Sequence, residues 1–205
     1  MAGVYLEKEK LYGEQIVEAG ETMKRTLLIY NPTAGREKAA KKAFVAEGLL
    51  SSAGTKVEMY ATKDKGDAQQ AASEACQAYD TVIACGGDGT LHEVINGIGQ
   101  GIKPGGRQIN LGIIPAGTTN DFAQALKIPM DVAHACRIIT RGKIQKTDLG
   151  SLNGRLFINI AGGGNLTNVT YEVPSKLKTY LGQLAYFAKS IEILPWLKPV
   201  KVRIV

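Results

Sequence analysis

Four short apolar runs divide the first 115 residues, and each ends in glycine or polar turn residues. Thr26-Leu27-Leu28-Ile29-Tyr30, Thr81-Val82-Ile83-Ala84-Cys85 and Leu111-Gly112-Ile113-Ile114 are nearly continuous in apolar character, as strands buried on both faces are. Lys56-Val57-Glu58-Met59-Tyr60 alternates, as a half-buried strand does. Between these runs the apolar spacing changes to that of a helix. Helices are predicted over Glu37–Leu50, where Ala40, Ala43 and Phe44 share a face and Gly54 lies near the end, and over Asp67–Tyr79, with Asp67 as N-cap. Further helices are predicted over Thr90–Ile98, Asp121–Leu126 and Asp131–Thr140, and Gly99–Gln108 reads as a loop. Strands alternating with helices predict an α/β fold with a parallel sheet covered on both faces. The loops that leave the carboxyl ends of such strands are where ligands bind.

The texture changes after Gly142. Lys143–Leu149 and Arg155–Ile160 read as strands flanking a turn at Ser151-Leu152-Asn153-Gly154, in which Asn153-Gly154 is a strong hairpin signal. A helical stretch, Ser175–Leu194, follows, and residues 199–205 read as a strand without a partner. Three parts are expected: a polar extension (1–24), an α/β domain (25–142) and the beginning of an incomplete β-rich domain (143–205). The unpaired last strand is an edge open to self-association, so a homodimer is compatible with the chain.

Composition narrows the function. The chain has 205 residues, 44% of them hydrophobic, enough for a sizeable core. The net charge of +6 comes from scattered basic residues, with small clusters at Lys38, Lys41 and Lys42 and at Lys176 and Lys178. No basic stripe with interleaved aromatics is present, which argues against nucleic acid. No run approaches the length of a membrane-spanning helix, and residues 1–25 are charged and lack the apolar stretch of a signal peptide. Three cysteines without metal-ligand spacing suit a reducing cytoplasm, with Cys85 and Cys136 read as buried apolar side chains.

The most specific stretch is Gly86-Gly87-Asp88-Gly89-Thr90, set between a strand and a helix. Glycines let the backbone approach a ligand closely, and the amides that open the following helix favour an anion. Asp88 is unusual there, since a carboxylate repels phosphate unless a cation lies between them; Mg2+, direct or through water, is the expected cation. Thr90, with Glu93 three residues on, also fits an N-cap with a capping box. Asn31-Pro32-Thr33-Ala34-Gly35-Arg36 follows the first strand, and Arg36 at a helix start opposes the helix dipole unless an anion is bound. Pro115–Phe122 supplies Thr118, Thr119, Asn120 and Asp121 after another strand. All three loops leave carboxyl ends of strands, which allows them to share one site. Ala161-Gly162-Gly163-Gly164-Asn165 is a further glycine run, read either as close backbone packing or as part of a cleft wall. His92 and His134 are read as structural, and Asp148 alone reads as a turn residue.

These three motifs, in this order, resemble the diacylglycerol kinase/sphingosine kinase catalytic family, and most of all its soluble bacterial diacylglycerol kinases. The resemblance runs from about Arg25 onward and includes Phe157-Ile158-Asn159-Ile160-Ala161-Gly162 and Leu181-Gly182-Gln183-Leu184-Ala185-Tyr186. It implies a nucleotide-binding α/β domain followed by a β-sandwich domain, with the active site between them. It also implies transfer of the ATP γ-phosphoryl group to a lipid hydroxyl, with diacylglycerol giving phosphatidic acid, by a cytoplasmic protein peripheral to the membrane. Asn31, Thr33, Gly86, Gly87, Gly89 and Thr90 would hold ATP, Arg36 would face phosphate, and Thr118 would line the nucleotide site. Asp88 and Asp121 would be catalytic, and Asp88, Asp121 and Asp148 would belong to a Mg2+ and water network. The family takes its catalytic base from a Gly-Glu segment late in the sandwich, and the resemblance implies that these 205 residues stop before it. A nucleotide-binding chain without turnover, or an NAD kinase-like enzyme, are the alternatives; the Thr-Thr-Asn-Asp-Phe loop disfavours the second.

Overall fold

A computed structural model describes residues 25–104, 108–142 and 144–161. The predicted extension 1–24, the helix at 175–194, the strand at 199–205 and most of the glycine run 161–165 lie outside them. Residues up to Asn159 belong to one compact unit, and a second unit begins at Ile160.

The first unit is built on a four-stranded parallel sheet. Its strands are β1 (Thr26–Tyr30), β2 (Val57–Ala61), β3 (Thr81–Gly86) and β4 (Asn110–Pro115), in the order β2-β1-β3-β4. The helices are α1 (Ala34–Ser52), α2 (Asp67–Ala75), α3 (Asp88–Gly101), α4 (Asp121–Ala125) and α5 (Val132–Thr140). Strand side chains alternate between two cores. Leu27, Ile29, Val82 and Ala84 pack with α2, α3 and Phe122 of α4. Leu28, Tyr30, Ile83, Cys85 and Ile114 pack with α1 and α5. The α/β class and the parallel sheet agree with the sequence expectation.

The strand order creates the site. The chain runs from β1 to β2 on one side, then returns across β1 to place β3 on the other side. Thus α1 leaves β1 toward one face, while α3 leaves β3 toward the opposite face. The two loops diverge above neighbouring strands, and a crevice opens between them.

Several helix starts differ from the pattern-based expectation. The α1 helix begins at Ala34 rather than Glu37, and its sheet-facing row is Ala39, Ala43, Ala46 and Leu50. Phe44 instead points outward, 62% exposed, with its ring edge-on to Tyr30. Small side chains on the sheet side allow the helix backbone to lie close. Asp67 is the first residue of α2 rather than its cap; Gly66, at φ +89°, takes that position. The Asp67 carboxylate accepts from Tyr60 Oη and the Lys63 amide instead. Asp131 does cap α5, accepting from the His134 amide, and the His134 ring stands against the same carboxylate. The expected Gly99–Gln108 loop starts later, because α3 runs on to Gly101.

The reason for that longer helix is its contact with α2. A Cβ on Gly97 would lie 2.1 Å from the Gln69 carbonyl oxygen, and one on Gly101 would lie 2.4 Å from that of Ser73. The two glycines, one turn apart, let the helices touch backbone to backbone, with Ala68, Ala71, Ala72 and Ala75 buried on the α2 side.

The predicted hairpin forms, with shorter and shifted strands: β5 (Gly150–Leu152) pairs antiparallel with β6 (Arg155–Phe157). Asn153 and Gly154 both have positive φ, 50° and 75°, as a two-residue primed turn requires. Such a turn pairs the residues immediately beside it, so Ser151 and Leu152, expected in the turn, belong to β5, while residues 144–149, expected as strand, lie outside the ladder. The hairpin docks on α3 through one side chain. Asn96, 4% exposed, donates from Nδ2 to Leu156 O at 2.9 Å and accepts the Leu156 amide at Oδ1, 3.0 Å. Its amide group imitates a peptide of a neighbouring strand. Leu156 lies over Gly99, where a Cβ would meet its Cδ1 at 2.5 Å.

Two outcomes test this packing. Gly97→Ala forces a methyl into the Gln69 backbone and is expected to destabilise the fold by about 1–3 kcal/mol. Gly48→Ala, in α1 with nothing within 4 Å of the added methyl, is expected to stabilise it by about 0.5–1 kcal/mol. Chemical denaturation of the two variants measures both signs. Burial, and then the charge of Arg155, lower the His92 pKa from its ordinary 6.5, with Glu93 opposing. As pH falls below 6.5 the unfolded chain therefore binds this proton first, so stability declines toward the lower folded value and levels off beneath it. His92→Gln should remove that component from a plot of Tm against pH.

Candidate functional site

The site is formed where three loops touch through their backbones. After β1, Asn31 folds its side chain back: Oδ1 accepts from the Thr33 amide at 3.0 Å and from Thr33 Oγ1 at 2.9 Å. This turn delivers Gly35, at φ +60°, against the β4 loop. A Cβ there would sit 2.0 Å from Ala116 O. After β3, Gly87 meets the same loop from the other side, since a Cβ on Gly117 would lie 2.3 Å from Gly87 Cα. Gly86 O accepts from the amides of both Ala116 and Gly117, at 2.8 and 3.1 Å. The bends after Tyr30, Gly86 and Pro115 therefore share one edge, as their common polarity predicted.

The start of α3 lies two residues earlier than expected. Gly87 is its N-cap in an extended conformation, and the first helical hydrogen bond runs from the Leu91 amide to Gly87 O. The amides of Asp88, Gly89 and Thr90 precede it and have no acceptor within the helix by geometry. They face outward at the positive end of a 14-residue helix, and Gly89 has open space where a side chain would be. Thr90 is therefore not the cap, and its predicted capping box with Glu93 does not form. It is the third helical residue, 8% exposed, and its side chain fills the space beside Gly86.

Asp88, the first residue of α3, is half-buried and bridges two loops. Its Oδ1 accepts from the Phe122 amide at 3.2 Å, and Oδ2 stands 3.4 Å from Thr119 Oγ1. It thereby caps α4 from across the crevice. Asp121 opens α4 and is exposed, and Thr118 is exposed in the loop before it. Asp148 is exposed in the extended segment before β5. Asp88, Asp121 and Asp148 do not gather into one group; among the described residues no three His, Cys, Asp or Glu side chains could jointly hold a metal ion. The side chain of Arg36 lies outside the described residues. Amides, open glycine and one half-buried carboxylate match the needs of Mg2+ with a phosphate chain, because Mg2+ keeps several waters and takes few protein ligands.

Two residues turn out to position loops: Asn120, expected either to cap the helix at Asp121 or to contact a ligand, stands at the N-cap position of α4 without a side-chain cap bond, and Lys42 was expected only as a surface charge. Asn120 adopts a left-handed conformation, φ 54° and ψ 48°, and its side chain accepts the Gly117 amide and donates to Gly117 O. It braces the loop from within instead of contacting a ligand. Its signal was available, since Asn tolerates that conformation and suits such local bonds. Lys42, read only as part of a basic cluster, reaches from α1 to Pro115 O at 2.6 Å and Met130 O at 2.8 Å. No local pattern announces a contact to residues so far along the chain.

A parallel sheet with glycine loops converging at its topological switch defines an α/β domain with a ligand-type crevice. The chain belongs to the diacylglycerol kinase catalytic domain family, whose model matches residues 25–152. It is 50% identical over 184 residues to a diacylglycerol kinase of Bacillus subtilis (strain 168), covering 89% of this chain and 59% of that protein. It is 48% identical over 182 residues to one of Staphylococcus saprophyticus, covering 88% and 58%. A crystal structure of a diacylglycerol kinase from Bacillus anthracis str. Sterne aligns with a TM-score of 0.60 at 33% identity, over 68% of this chain and 50% of that one. The chain thus spans less than two thirds of the length of these relatives.

The thiols around the site are inert by position. Cys85 is fully buried near the end of β3, and burial pushes its pKa up to about 12, against the Lys42 charge; Cys136 is pushed up by burial to about 11. Cys76 is raised by burial as well. A thiol-reactive chromophore at pH 8 is expected to label none of the three in the native protein and all three in denaturant. Rapid labelling of native Cys85 would show that the strand end opens.

Proposed function

We propose that this chain carries the nucleotide-binding part of an ATP-dependent lipid kinase that transfers the γ-phosphoryl group to a lipid hydroxyl, diacylglycerol giving phosphatidic acid. The observation that carries the reading is the meeting of Gly35, Gly87 and Gly117 backbones beside the free amides of α3. The names of the relatives support the acceptor.

In this reading Asn31 and Thr33 hold the β1 side of the nucleotide, and Arg36 faces its phosphates. The amides of residues 88–90 receive phosphate oxygens as the helix dipole favours. Thr118 and Thr119 line the opposite wall. Asp88 and Asp121 would hold Mg2+, directly or through water, with Asp148 joining the network through solvent; the ion would neutralise phosphate charge. Phosphoryl transfer has a loose transition state, so alignment and charge neutralisation supply most of the catalysis. The lipid hydroxyl also needs a base to take its proton.

The acceptor resides in a bilayer, so the protein works as a peripheral membrane enzyme from the cytoplasm. Among the described residues no helix is long and apolar enough to cross a membrane. Lysines near an anionic surface would contribute roughly 1 kcal/mol each to docking. A homodimer is compatible with this reading and is not required by it.

Calorimetry with MgATP on the 205-residue chain is expected to show stoichiometric binding. In the protein extended to the length of its relatives, ADP release should depend on diacylglycerol in anionic lipid micelles. Asp88→Asn keeps an acceptor for the Phe122 amide and removes the charge. It should lower turnover by roughly 10²–10³-fold with an unchanged Tm. Full turnover in that variant would remove the Asp88 charge from the mechanism.

A further inference from the structure

The loop after β4 and helix α4 form one excursion from the sheet, leaving at Pro115 and returning at Met130. It carries Thr118, Thr119, Asn120 and Asp121, and its first turn rests on Gly87 and Gly35. Both feet of the excursion end on the same cation. Lys42 Nζ donates to Pro115 O at 2.6 Å and to Met130 O at 2.8 Å. Pro115 lacks an amide proton, so its own backbone can hold the strand end only through its carbonyl. That carbonyl is the atom Lys42 takes.

We infer that Lys42 is a positioning residue of the nucleotide edge: its ammonium clasps the two feet of the Ala116–Pro129 excursion and so fixes the wall opposite the α3 amides. This deepens the nucleotide reading above and rests on it. The clasp comes from α1, the helix that begins at the Asn31–Gly35 loop, so one helix sets the β1 loop at its start and the β4 excursion from its third turn. Inside the excursion, Asn120 Nδ2 approaches Met130 Sδ at 3.8 Å while its Oδ1 holds Gly117. Asp88 ties the far end through the Phe122 amide. Without Lys42, the inner bonds remain and the base is released. The excursion should then move as a unit on a sheet that stays folded. Lys41, exposed on the next position of α1, makes no such contact and serves as the control.

The test compares Lys42→Met, Lys42→Arg and Lys41→Met in the 205-residue chain by MgATP calorimetry and by amide hydrogen exchange resolved along the sequence. Lys42→Met should weaken MgATP binding about tenfold. It should also speed exchange across residues 116–128 while Leu28, Ile29, Val82 and Ile83 keep their protection. Lys42→Arg should recover most of both effects, and Lys41→Met should change neither. Unchanged exchange at 116–128 in Lys42→Met overturns the inference. So does acceleration spread evenly over the sheet, which would make Lys42 an ordinary stability contact. Wild-type chain that binds no MgATP sinks the nucleotide reading instead, and the exchange comparison then decides alone whether the clasp exists.

Discussion

The structure depends on backbone meeting backbone at one point, where Gly87 and Gly117 come within contact of each other's Cα atoms. Any side chain at Gly117 would hold the β3 and β4 loops apart. Hydrogen bonds from two consecutive amides to Gly86 O then lock the approach. Because Gly35 reaches the same loop from β1, the three bends form a rigid rim at the sheet's switch point. Everything proposed for the site follows from that rim: the outward amides of α3, the half-buried carboxylate beside them, and a wall carrying hydroxyls opposite.

The same device recurs away from the site. Gly97 and Gly101 let α3 lie against the α2 backbone, and Gly99 admits Leu156 of the hairpin. One helix is therefore held on two sides, by α2 and by the hairpin through Asn96, while its first turn faces the crevice. Its position is set by packing along most of its length, which leaves the N-terminal amides free for other partners.

How much of this was legible in the sequence varies with the range of the interaction. Strand cores were readable because buried parallel strands are apolar on both faces, and the turn at Asn153-Gly154 because its residues have few other uses. The three loops were readable as loops, and their shared polarity implied a shared edge. Helix starts were misjudged at Thr90 and Asp67, where a Ser/Thr/Asp pattern suggested a cap but glycine one or more residues earlier took it. The α1 face drawn through Ala40, Ala43 and Phe44 is rotated from the real contact, which Ala39, Ala43, Ala46 and Leu50 make. The strand expected at 143–149 is not formed over residues 144–149, because the two-residue turn draws Ser151 and Leu152 into the ladder in place of a longer turn. Lys42 and Asn96 were invisible in the sequence, since each acts on residues at least 60 positions away.

The order β2-β1-β3-β4 places the switch between the two central strands, with β2 and β4 as the outer rails among the described residues. The mouth of the site is thus set away from the β2 margin, while the loop that follows β4 closes its rim on the other side. Sequence drift, insertion or added strands at the β2 margin would alter the periphery while leaving the rim's geometry intact. A fold arranged in this way can change the partners along that flank and still present the same anion-receiving centre.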